Sequence, residues 1–135
     1  MTTPAQPNPA TQRLVLWTIW FALFASVFIY RHYLIKPGPG RDSFDGTVDP
    51  LMIFLLFGPM AVSLFARITL VPRARHSGQL LVAMIIGLAA AESLTFFGIF
   101  LYRSYESLFI GVSLGLMLLF VPAFLPDVPR SPRRD

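Results

Sequence analysis

Four apolar runs alternate with short polar stretches along the chain. The first run starts at Arg13 and holds to Tyr30, reaching Ile35 with its flank. The second covers Leu51 to Val71, the third Gln79 to Tyr102, and the fourth Leu108 to Leu125. Each is close to the about 20 residues a helix needs to cross about 30 Å of hydrocarbon. The pattern predicts an all-α fold, a four-transmembrane-helix integral membrane protein built as an antiparallel helical bundle. The predicted spans are 13–35, 51–71, 79–102 and 106–126, within one transmembrane domain over residues 13–126. Residues 1–12 and 127–135 are polar and proline-bearing, and read as a disordered tail and a second tail.

Prolines mark the limits of these runs. Pro37, Gly38, Pro39 and Gly40 stop any helix in the first loop, and Pro72 closes the second run. Pro59 falls inside that run, which predicts a kink with the Leu55 carbonyl freed. A secretory signal is the rival reading of the first run. The tail before it is long, however, and no small-x-small cleavage site follows.

Composition agrees with a membrane class. Hydrophobic residues make up 55% and charged residues 13%, against about 25% charged in a soluble domain. There are no cysteines, which excludes disulfides and thiolate metal sites. The formal net charge of +4 does not imply a nucleic-acid partner. Arg130, Arg133 and Arg134 sit among prolines in a tail, and no soluble basic module carries them. Arginine placement instead sets an orientation. Arg13, Arg73, Arg75, Arg130, Arg133 and Arg134 share one side, against Arg31, Lys36, Arg41 and Arg103 on the other. The bias predicts a cell (inner) membrane protein with both termini cytoplasmic. Tyr30, Tyr33, Tyr102 and Tyr105 then form an aromatic belt at the outer interface.

Little in the sequence carries catalytic chemistry. Asp42, Asp45 and Asp49 lack the spacing of a Ca²⁺ loop. His32 and His76 are placed on opposite sides of the membrane. No phosphate loop, nucleophile elbow or metal-ligand motif is present, so no enzyme, cofactor or metal is expected.

One group stands out. Glu92 lies about 19 Å along the third span, near the midplane. An ionised carboxylate there costs several kcal/mol, so it neutralises or finds a partner. Arg67 lies about 6 Å from the end of the second span, too shallow to reach it easily, and prefers to snorkel to water. Ser26 and Ser113 fall at the depth of Glu92, and Thr95 is one turn away. These hydroxyls are the expected supporting polar groups. At about 100° per residue, Ala83, Gly87, Ala90, Ala91 and Gly98 form a small-residue packing face. Ala83, Gly87 and Ala91 lie at four-residue spacing. Glu92 falls opposite this face, with Ile85, Leu88, Thr95, Phe96 and Ile99.

Residues 75–100, RHSGQLLVAMIIGLAAAESLTFFGIF, resemble the proton-carrying helix of subunit c of rotary ATP synthases, a proteolipid. Gly78, Leu80, Met84, Gly87, Ala89 and Glu92 match its G-x-L-x-x-x-M-x-x-G-x-A-x-x-E spacing. The resemblance implies that Glu92 binds and releases a coupling ion, with Met84, Gly87 and Ala89 as packing positions. The second span has one glycine and a proline where that family has a glycine zipper, so a subunit c-like protein is implied rather than an ordinary ring subunit. Two readings stand side by side. In one, Glu92 is a reversible proton site working against a partner's cation. In the other, the chain is a non-catalytic membrane interaction or assembly subunit, with Glu92 as a structural hydrogen-bonding residue. Both place the chain in the lipid bilayer, as a homo- or hetero-oligomer joined through the third span.

Overall fold

The computed structural model describes residues 8–34 and 49–126. The described residues are all-helical, and three of the helices are long and apolar enough to cross a membrane. The expected helix-stopping loop at residues 37–40, the Asp42 and Asp45 loop, and the tail over 127–135 lie outside the described residues.

Helix α1 spans Pro9–Leu34. It starts four residues before the expected boundary, so residues 9–12 of the predicted disordered tail are helical. The cause is local. The Asn8 side chain accepts from the Ala10 N–H at 3.1 Å, and Pro9 has the fixed φ of a first helical position.

Helix α2 runs over Pro50–Arg73. Asp49 caps it, accepting from the Leu51 N–H at 3.0 Å. The helix passes Pro59 without a break in its helical assignment. A π turn lies further on, at Ala66–Leu70. Pro72 explains the position. It has no N–H for the Ile68 carbonyl, and its ring crowds that group. The Val71 N–H reaches back five residues to the Ala66 carbonyl, which accommodates the extra residue.

Helix α3 spans Ser77–Phe100. His76 Nδ1 accepts from the Gln79 N–H at 3.2 Å, and Gln79 Oε1 accepts from the Arg75 N–H at 2.9 Å. Helix α4 covers Glu106–Leu118 and has 13 residues. At 1.5 Å per residue that is about 20 Å. The fourth expected span, 106–126, is therefore not one helix. A turn follows at Leu119–Phe120, then a 3₁₀ turn over Pro122–Phe124. Pro122 has no N–H to donate to the Leu118 carbonyl, which stops the helix there.

Helix α3 is the hub. It touches α1, α2 and α4, whereas no Cα of α1 comes within 8 Å of one in α2. Cross-contacts fix the directions. Ser26 meets Glu92 and Tyr30 packs against Phe96, so α1 and α3 run parallel. Phe109 packs at Gly98 and Phe120 at Gly87, so α4 and its extension run antiparallel to α3. Asp49 at the start of α2 accepts from the Tyr102 hydroxyl, just past the end of α3, at 2.9 Å, so α2 is antiparallel to α3 as well. Trp20 on α1 donates its indole N–H to the Met117 carbonyl on α4 at 2.9 Å.

The core gathers on the α3–α4 contact, where Met84, Leu88, Leu94, Phe109, Met117 and Phe120 are fully buried. Helices α1 and α2 expose Phe21, Phe28, Phe54, Phe57, Phe65 and Ile68 instead. Only 17% of the most apolar window of either helix is buried, against 44% for α3. Water-soluble monomers rarely leave so much contiguous apolar surface bare. A lipid surround makes it the favourable state.

Candidate functional site

The site is built where α1 crosses α3. The residues of α3 that other helices bury run from Ala83 round to Ile99, an arc of about 160° at 100° per residue. Glu92 lies at the edge of that arc and is half-buried. It sits about 5 Å from the middle of α3, toward Phe100, because the helix begins at Ser77. Ser26 lies a comparable distance, about 7 Å, past the middle of α1. The two therefore meet at the same height.

Ser26 Oγ is 2.5 Å from Glu92 Oε1 and 2.7 Å from the Leu23 carbonyl. A serine hydroxyl has one hydrogen to give. With Glu92 ionised, Ser26 donates to the carboxylate and the Leu23 contact lacks a proton. With Glu92 protonated, the acid donates to Ser26 Oγ and Ser26 donates to Leu23. Both contacts then hold at once, in a short relay from the carboxyl to a backbone carbonyl. Glu92 makes no other hydrogen bond or ion pair among the described residues. Arg67 is engaged elsewhere, donating to the Phe124 carbonyl at 3.0 Å. Beyond the site toward the Phe100 end, the Tyr30 and Phe96 rings meet at 4.8 Å, tilted by 44°, and close the α1–α3 seam.

The three expected supporting hydroxyls divide. Ser26 reaches Glu92. Thr95 donates to Ser113 at 3.0 Å, and both are fully buried between α3 and α4. The two opposed faces expected on the third span are also corrected. Leu88, Thr95 and Ile99 were grouped with the acid, yet they are buried alongside the small residues. The reason is that α3 is packed from three sides, so its buried arc is wider than the small-residue face.

That face is filled from within the chain. Ala83 and Ala91 are buried. A Cβ at Gly87 would collide with the Phe120 ring, and one at Gly98 would come within 2.7 Å of the Phe109 Cβ. The uncovered strip of α3 is elsewhere, on its turn toward Val82, Ile85, Ile86 and Ala89.

Several polar contacts carried no signal in the sequence. Arg31 and Glu106 approach at 3.8 Å across the ends of α1 and α4. Asp49 and Tyr102 are joined, as are Trp20 and the Met117 carbonyl. No group of three His, Cys, Asp or Glu residues that could hold a metal ion occurs among the described residues.

Replacing Ser26 by Ala is expected to cost little stability. Interhelical hydrogen bonds in membranes average about 0.6 kcal/mol. A shift of the unfolding midpoint in a mixed-detergent titration equivalent to more than about 2 kcal/mol would contradict this. The pair is thus a weak fastener, and its interest lies in the proton it shares.

No known protein family, no curated protein and no solved structure matches the chain.

Proposed function

We propose that the protein is a small integral membrane protein in which Glu92 and Ser26 form a reversible proton-binding site. In this reading Glu92 has the role that the membrane acid has in subunit c of rotary ATP synthases. The observation that carries it is the single hydrogen of Ser26 between two acceptors, at 2.5 and 2.7 Å. Both contacts are satisfied by a protonated acid, and losing that proton leaves one of them unmade. The relay is therefore sensitive to the charge of Glu92.

In this reading four segments lie in the cell (inner) membrane with both termini in the cytoplasm. The fourth crossing combines α4 with the turn and 3₁₀ segment through Pro126. The arginine bias supports the orientation. Oligomers form through the part of the uncovered strip of α3 at Ile85 and Ala89, since Ala83, Gly87 and Ala91 are engaged within the chain.

A hydrophobic carbodiimide tests the proposal. It takes the proton of a carboxylic acid as it adds to the oxygen, then rearranges to a stable N-acylurea. Full-length protein at neutral pH is expected to take the label on Glu92, mapped by peptide mass. Labelling should fall as pH rises and vanish in Glu92→Gln. A wild-type chain that stays unlabelled at Glu92 refutes the proton site.

A second reading makes Glu92 a structural link. It is favoured by the setting of the bond, which joins two parallel helices along a seam that Tyr30 and Phe96 also close. The protein would then be an interaction or assembly subunit, and Glu92→Gln would leave assembly intact because Gln keeps the hydrogen bond to Ser26.

A further inference from the structure

Charge is divided unevenly between the two ends of the molecule. The end holding the α2–α3 turn has Arg13, Arg67, Arg73 and Arg75, with no acid among the described residues. At the other end Arg31 and Arg103 accompany Asp49 and Glu106, and Arg31 approaches Glu106 at 3.8 Å. The arginine-rich end also has an open groove between the last turn of α2 and the start of α3. Its volume is about 630 Å³. Leu70, Val82 and Ile86 line its wall, and Arg73 and His76 stand at its mouth.

The mouth is equipped to receive an anion. Arg73 is exposed and has no hydrogen-bond or ion-pair partner among the described residues. His76 spends its Nδ1 lone pair on the Gln79 N–H at 3.2 Å. The proton of the neutral ring therefore sits on Nε2, which is left as a donor. The wall is apolar and continues along α3 toward the middle of the helix. A small inorganic anion would leave that wall bare, whereas a molecule with an anionic head and an apolar tail covers both parts.

We propose that this groove holds one anionic phospholipid. Its phosphate lies between Arg73 and His76, and one acyl chain runs along Leu70, Val82 and Ile86. Basic pockets between membrane helices select anionic headgroups in this way, and guanidinium–phosphate bonds are strong and directional. A zwitterionic lipid brings a positive group to an end with no acid among the described residues to receive it. The inference rests on the membrane setting of the three long helices and is independent of the state of Glu92.

The experiment uses the full-length chain in mild detergent with equal amounts of phosphatidylglycerol and phosphatidylcholine, and native mass spectrometry to count retained lipids. The expected result is one phosphatidylglycerol retained in preference to phosphatidylcholine. Arg73→Gln should reduce that preference about tenfold, the value of one charge-assisted contact. Ile86→Trp fills the groove and should lower retention of the lipid. Arg31→Gln, at the other end, should change nothing. Equal retention of the two lipids overturns the proposal. So does a preference untouched by both Arg73→Gln and Ile86→Trp, or full displacement of the lipid by millimolar inorganic phosphate.

Discussion

Gly87→Ala is expected to destabilise the protein by about 1–3 kcal/mol, although alanine is the better helix former. Propensity alone favours the change by about 1 kcal/mol. Packing opposes it. The new Cβ would overlap the end of the Phe120 ring, whose side chain is fully buried. The ring cannot swing away without opening the contact between α3 and the segment after α4. A mixed-detergent unfolding titration checks the result, and an unchanged or raised midpoint would refute it. The compensating change is equally specific. Adding Phe120→Leu removes the far ring atoms and should recover most of the loss. Additive damage in the double variant would show that the clash is not the cause.

Phe109→Ala is expected to cost more, toward the lower end of about 3–5 kcal/mol. Phe109 is fully buried, packs against the bare backbone at Gly98 and stacks on Tyr102 at 5.9 Å. Part of the usual penalty is absent in a bilayer, because lipid tails are as apolar as the ring. The cavity remains, since lipid has no path into the α3–α4 contact. Phe124→Ala is the control. Its side chain is 69% exposed, and its loss should fall within about 0.5 kcal/mol. Equal midpoints for Phe109→Ala and wild type would refute the assignment of the core.

Both predictions concern contacts that the sequence made only half visible. Apolar runs and prolines located three long helices to within a few residues. The same rule could have shortened the fourth, because Pro122 has no N–H for the four-residue helical bond back to the Leu118 carbonyl. Counting residues along each run also gave height: Ser26, Glu92, Thr95 and Ser113 were matched in depth. Counting does not give azimuth. Ser26 points at Glu92, while Thr95 points at Ser113, because α1 and α4 approach α3 from different sides. Which helix lies on which side depends on packing across the whole molecule. The wheel of α3 was read as two faces because a lone helix has no neighbours to widen its buried arc. The π turn before Pro72 was not expected, because Pro72 reads in sequence as the end of the run, whereas the helix continues through it to Arg73.

The bond from Trp20 to the Met117 carbonyl spans 97 positions of sequence. At about 5–20 residues per second of synthesis, α1 emerges about 5–20 s before its partner on α4 exists. Its neighbour in sequence, α2, stays more than 8 Å away, Cα to Cα, in the finished molecule. Until then α1 packs along α3 alone, through Ser26 and Tyr30, with its indole N–H bond to α4 still unmade. Assembly is thus a matter of timing as much as affinity: the first helix made completes its contacts only when the last one arrives.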